Sequence, residues 1–368
     1  MNVAEIPTPA LLIEVAPMER NIRRMAAFFA EGPCRLRPHV KAHKTPEIAR
    51  RQLAAGSCSG LTCATVEEAE SVSAFCDDIL LANEIVTADK CDRLAALARR
   101  SRVTVAVDSI EGIHQISAAS VRAGVTVGVF VDVNVGQERC GVAPGEDALA
   151  LARLVPASAG VELRGVMGYE GHLQGIADRS ERERRARAAM DQLAATATLL
   201  RAHGLVCEIV SAGGTGTYDI SGRVSGITEI QAGSYALMDT DYARVGVPFE
   251  QALFVLGTVI SRPAPDRCVL DAGHKHVTKD HGLPAVASVP DAEVTGLFDE
   301  HATLRIPPAS SIAIGDRVRL VPSHVDPTMN LHDVIYAVDG ESVVGVWAIA
   351  RRGPSSLRFR APLRGDGL

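Results

Sequence analysis

The chain predicts an α/β protein, a (β/α)8 TIM-type barrel followed by a smaller, mainly β domain. Two patterns carry that expectation. Over the first two thirds, short β-branched apolar runs alternate with longer amphipathic segments rich in Ala, Leu, Arg and Glu, as repeated βα units around a parallel sheet require. After about Phe249 the pattern turns to strands broken by Pro and Gly, with little helix. The length of 368 residues accommodates both, since a barrel of this kind takes about 250 residues.

Eight strand candidates centre near Leu36, Leu61, Leu80, Val105, Val129, Val166, Ile209 and Ile230. Between them, stretches such as 45–55, 66–74, 89–99 and 180–203 have helical spacing. Eight units close a barrel. The rival, a doubly wound open sheet, would carry G-x-G-x-x-G after its first strand, and that fingerprint is absent. Later strands are expected over 252–261, 268–271, 317–321, 334–338 and 342–350. The division that follows is a barrel over 10–247, a β domain over 248–353 together with residues 1–9, and a loose Arg-, Gly- and Pro-rich tail over 354–368.

Composition excludes several classes of function. A formal charge of −6 offers no basic face for nucleic acid, and no stretch approaches 18 uninterrupted apolar residues. Eight scattered cysteines without a C-x-x-C pair read as reduced, mostly buried thiols, and with no signal-like N-terminal segment the expected location is cytoplasmic. The expected partner is a small molecule.

The first barrel strand runs into Arg37-Pro38-His39-Val40-Lys41-Ala42-His43-Lys44, so these side chains emerge at the C-terminal mouth, where such barrels place their chemistry. A lysine among other cations has its ammonium destabilised and becomes a better nucleophile towards an aldehyde; a solvent-facing basic helix start would look the same. After the seventh and eighth strands come Ser211-Ala212-Gly213-Gly214-Thr215-Gly216-Thr217 and Gln231-Ala232-Gly233-Ser234-Tyr235. Barrels bind phosphate there, with glycines admitting the oxygens to backbone amides and Thr215, Ser234 and Tyr235 offering hydroxyls. A lysine, a phosphate cradle, Arg139 and Tyr169 together suit a phosphorylated aldehyde cofactor. In Pro322-Ser323-His324-Val325-Asp326, the imidazole and carboxylate two residues apart would share one side of an extended segment and suit Mn, Mg, Co or Zn, although H-x-D alone is also a common polar turn.

These residues resemble the D-threonine aldolase and D-serine dehydratase family, the metal-dependent branch of the alanine-racemase-like fold (pyridoxal-phosphate fold type III). The matching pieces are Thr8-Pro9, 37–44, Gly136-Gln137-Glu138-Arg139-Cys140-Gly141-Val142, 213–216, 231–241, Leu270-Asp271-Ala272-Gly273 and 322–333, spread from residue 8 to about 353. The resemblance implies pyridoxal phosphate bonded through Lys41 with His39 beside it, and a homodimer. Arg139 would contact the ring hydroxyl, and Tyr169 would lie near the pyridine. Gly214, Thr215, Gly216, Gly233, Ser234 and Tyr235 would hold the phosphate, and His324 and Asp326 a divalent metal, manganese first. Related dehydratases carry Cys at the position of Asp326 and aldolases Asp, so the expected reaction is cleavage of D-β-hydroxy-α-amino acids between Cα and Cβ. A D-serine or 3-hydroxyaspartate dehydratase is the first alternative, a non-catalytic cofactor-binding regulator the second.

One departure bears on the mechanism. The typical aldolase reads Y-H-G-S-V-Q-H, whereas this chain reads Tyr169-Glu170-Gly171-His172-Leu173-Gln174-Gly175. The second histidine of that pattern, a candidate base, becomes Gly175. His172 or Glu170 would take its place, or a metal-bound hydroxide would. His274-Lys275-His276 is a further candidate for the substrate mouth.

Overall fold

The computed structural model describes residues 1–350, so the expected tail over 354–368 lies outside the described residues. The chain opens with strand β1 (Ala10–Glu14) and helix Val15–Ala30, whose Met18, Ile22, Met25 and Phe29 repeat at helical spacing and face the core. Eight parallel strands follow: β2 (Arg35–Leu36), β3 (Leu61–Cys63), β4 (Asp78–Leu81), β5 (Arg102–Val107), β6 (Val127–Asp132), β7 (Val161–Gly168), β8 (Ile209–Ala212) and β9 (Glu229–Ile230). They coincide with the eight sequence candidates. β2 pairs with β9 on one side and meets β3 through the parallel bridges Leu36–Cys58 and His39–Thr62 on the other, which closes the ring.

Leu80, Ala106, Phe130 and Met167 fill the barrel interior as a cluster of their own, separate from the apolar layer between strands and outer helices. Arg37 is almost fully buried. Its Nε lies 2.9 Å from the Glu229 carboxylate and its Nη1 2.8 Å from Asp78, so one guanidinium ties β2, β9 and β4 together. An interior charge persists only when paired in this way.

The second sheet comprises β1, β10 (Leu253–Ala264), β11 (Arg267–Leu270), β12 (Ala285–Val286), β13 (Glu293–Leu297), β14 (Ala302–Arg305), β15 (Arg317–Val321), β16 (Val334–Asp339) and β17 (Ser342–Ala348). β10 pairs with both β15 and β11, and the series β11-β14-β13-β12-β15 returns to it, so six antiparallel strands form a small closed barrel. β1, β16 and β17 extend from its edge. The expected start of the barrel domain at residue 10 is corrected here, because β1 pairs with β10 and β16 of the second sheet. Its apolar Ala-Leu-Leu-Ile run suits any two-sided buried strand, and only pairing decides which sheet receives it. All eight cysteines are unpaired, and six are buried.

Candidate active site

A cavity of about 320 Å³ opens at the C-terminal mouth of the large barrel, within the range of small-ligand sites. His39, Lys41, Arg139, Tyr169, Gly214, Thr215, Gly233, Ser234 and Tyr242 are among its lining residues. Lys41 sits in a single 3-10 turn, Val40–Ala42, whose N-cap is His39; the Lys41 amide donates to His39 Nδ1 at 3.4 Å. That turn sorts the cationic cluster. His43 turns into the core, where its Nε2 meets Gln52 Oε1 at 3.1 Å and burial pushes its pKa down to about 4. Lys44 donates to Asn330 and pairs with Glu68. Only Lys41 keeps its amine in the cavity, 41% exposed.

The expected destabilised ammonium is corrected by the second domain. Asp326 Oδ1 lies 3.6 Å from Lys41 Nζ, and that carboxylate raises the lysine pKa above its ordinary value against the opposing effects of desolvation and Arg139. His39, by contrast, is held neutral by burial and by Lys41 beside it. Arg139 lies over the Tyr169 ring, 5.8 Å from its centre, and burial raises the Tyr169 phenol pKa.

The glycine loops expected to cradle phosphate line the cavity with Gly213, Gly214, Thr215, Gly233 and Ser234. A Cβ on Gly233 would come within 2.6 Å of the His39 carbonyl, so only glycine lets the loop after β9 touch the turn after β2. Among the described residues, the amides of Thr215, Gly233 and Ser234 donate to no protein acceptor, which leaves three convergent donors for an anion. The Gly216 amide is already committed to Gln174 Oε1 at 2.7 Å.

Three expectations fail on side-chain direction. Tyr235 is fully buried; its ring packs on Phe249 and its hydroxyl accepts from Gln52 Nε2 at 3.1 Å, so it gives no hydroxyl to the cradle. Glu170, 0% exposed, lies behind the cradle and accepts from the Gly213 amide at 3.1 Å, Thr217 Oγ1 at 2.7 Å and Ser221 Oγ at 2.6 Å. With both oxygens occupied it is a brace for the loop. His172 is exposed, lies against Gly136 and does not line the cavity. Of the further candidates, His274 pairs with Asp299, and Lys275 with Glu300, on a separate surface of the second domain.

His324 and Asp326 do come together, but in a different conformation from the one their spacing implies. His324 is the extended N-cap of helix Val325–Met329, which contains Asp326, and its Nε2 lies 3.8 Å from Asp326 Oδ2. On the other side of the ring, His324 Nδ1 meets Asp280 Oδ2 at 2.7 Å. A carboxylate on one nitrogen fixes the ring and its tautomer, freeing Nε2 to bind a metal. Buried Asp239 sets this helix against the barrel: Oδ2 accepts from the Val325 amide at 3.0 Å, while Oδ1 caps helix Thr240–Val245 at the Tyr242 amide. Sequence reasoning missed Asp239, Asp280 and Tyr242. Asp239-Thr240 has the composition of an N-cap, which was a legible signal for one of them.

Residues 13–241 match the family described as "Alanine racemase, N-terminal domain", and residues 252–338 match the "Putative serine dehydratase domain". A D-threonine aldolase of Arthrobacter sp. is 43% identical, over 95% of this chain and 94% of its own length. The chain belongs to the D-threonine aldolase and D-serine dehydratase family. Another family member, a 3-hydroxy-D-aspartate aldolase of Paracoccus denitrificans, is 35% identical over 96% of this chain and 94% of its own. The crystal structure of D-threonine aldolase from Filomicrobium marinum superposes with a TM-score of 0.91 at 40% identity, covering 94% of this chain and 96% of that one. The family's cofactor, pyridoxal phosphate, fits this site: an amine, three free amides around a glycine cradle, and a cavity between them. A divalent metal fits the donor set of one imidazole and one carboxylate.

Proposed function

We propose that the chain is a pyridoxal-phosphate- and divalent-metal-dependent lyase that splits D-β-hydroxy-α-amino acids, of the D-threonine and D-phenylserine type, into glycine and an aldehyde. The supporting observation is the convergence of Lys41 with Asp326 across the two domains, 3.6 Å apart. In this reading pyridoxal phosphate on Lys41 would supply an electron sink for the Cα–Cβ bond, and a divalent metal on His324 and Asp326, manganese by preference, would acidify the β-hydroxyl.

The residues divide the remaining work. Lys41 bonds and releases the cofactor aldehyde. The amides of Thr215, Gly233 and Ser234 anchor the phosphate, while Arg139 and Tyr169 flank the ring. Asp326 faces both Lys41 and His324, which puts the carboxylate that would hold the metal beside the amine that would hold the cofactor. Asp280 fixes the His324 ring through Nδ1 and would leave Nε2 for the metal. A homodimer and a cytoplasmic location belong to the same reading; among the described residues no helix is long and apolar enough to cross a membrane.

The test is product identification with pyridoxal phosphate and Mn2+, using D-threonine and D-3-phenylserine, each beside an EDTA control. Glycine with acetaldehyde or benzaldehyde, lost in EDTA, is the expected result. Ammonia with a 2-oxo acid would make the protein a dehydratase despite Asp326.

A further inference from the structure

In this chain Gly175 stands at the end of the Tyr169–Gly175 segment, where the aldolase pattern ends in histidine. Neither neighbour compensates, since Glu170 is occupied by Thr217 and Ser221 and His172 is not among the residues lining the cavity. The space beside Gly175 is nonetheless defined. A Cβ built there would have Asp241 Oδ2 as its nearest atom, at 3.9 Å. That same oxygen lies 3.1 Å from Nδ1 of His281, which arrives from the second domain on the loop after β11.

The His281 ring stacks on His324, with centres 4.1 Å apart and planes 9° from parallel. One face therefore rests on the imidazole of the metal pair, and one nitrogen is held by Asp241. Among the described residues no protein group hydrogen-bonds its Nε2, and the side chain is 41% exposed. An imidazole fixed on one nitrogen, free on the other and one ring's thickness from a metal ligand is placed to meet a metal-bound hydroxyl. Asp280, His281 and His324 could themselves hold an ion, their ligand atoms lying within 4.8 Å of one another, and the Mn2+ affinity of an H281A variant separates that role from that of a proton acceptor.

We propose that His281, oriented by Asp241, replaces the imidazole missing at Gly175 and is the group that meets the substrate's β-hydroxyl. This rests on the aldolase reading. In the step, the β O–H bond breaks and its proton passes to His281 Nε2. The oxygen electron pair closes the aldehyde C=O as Cα–Cβ breaks, and the Cα–Cβ pair stays with the glycine fragment. His281 is the catalytic residue and Asp241 a positioning residue.

The experiment compares wild type, H281A and the double variant H281A/G175H, all loaded with pyridoxal phosphate and Mn2+. It measures D-threonine cleavage, the absorbance change on D-threonine binding, and Mn2+ affinity by calorimetry. H281A is expected to lose about 100-fold or more in kcat, the usual worth of a positioned proton acceptor. Its substrate-binding spectrum and Mn2+ affinity stay as in wild type. H281A/G175H is expected to regain at least tenfold, since the backbone at 175 is not left-handed and the space is open. Wild-type kcat in H281A, a matching loss of Mn2+ affinity, or no recovery in the double variant would each overturn the proposal. Failure of the wild type to cleave any D-β-hydroxy amino acid would instead defeat the aldolase reading itself.

Discussion

Replacing Glu170 with alanine separates a loop brace from a catalytic base. The carboxylate accepts from the Gly213 amide, Thr217 Oγ1 and Ser221 Oγ, at 3.1, 2.7 and 2.6 Å, with no exposure to water. Hydrogen bonds to a charged acceptor contribute about 1.5–3 kcal/mol each, and a buried donor left unpaired costs a similar amount. The two hydroxyls can rotate to other acceptors and the amide cannot, so a total of about 3–5 kcal/mol is expected. Part of this falls on folding and part on the glycine loop that presents the Thr215 amide. If about 1.5–3 kcal/mol reaches the loop, the Kd for pyridoxal phosphate rises roughly 10- to 100-fold in E170A. E170Q, which keeps one acceptor oxygen for the Gly213 amide but turns an NH2 group towards the hydroxyls, falls between. The assay is a titration of cofactor-free protein followed by kcat at saturating cofactor. A brace predicts weak cofactor binding and kcat within a few-fold of wild type once loaded. Unchanged cofactor affinity with kcat down 100-fold would refute the reasoning and restore Glu170 as the base.

Two further outcomes follow from the same geometry. D280N removes the carboxylate that orients His324, so Mn2+ affinity measured by calorimetry should fall about 10- to 100-fold, with the lysine-bound cofactor absorbance unchanged. For His43, burial lowers the folded-state pKa to about 4, below the usual histidine value, so between those values the unfolded chain binds the extra proton. Stability at neutral pH is therefore lost as pH falls through this window, by about 3 kcal/mol from this one group. Thermal unfolding from pH 7 to 4 should show a shallower acid decline in H43N than in wild type; parallel curves would remove His43 from the account.

Much of the architecture was legible because its causes are local. The barrel strands from β3 to β7 are short apolar runs each followed by a helix, and that alternation survives in one dimension. Lys41 and the glycines of 213–216 and 233 were legible for a related reason, since barrels display chemistry at strand ends and close backbone approach requires glycine. Strands β12, β13 and β14 escaped notice because they are two to five residues long and separated by short connections carrying Pro290, Asp291 and Asp299.

The sequence by itself determined the class of fold, and it singled out the lysine, the glycine loops and the His324–Asp326 pair as candidates. Only the tertiary structure decided what each polar group does, because a side chain's role depends on partners far away in the chain. Tyr235 and Glu170 look like site residues until packing turns one onto Phe249 and ties the other to Ser221. Lys41 acquires a raised pKa from a carboxylate 285 positions later, and His281 meets Asp241 only because the second domain folds over the mouth of the first.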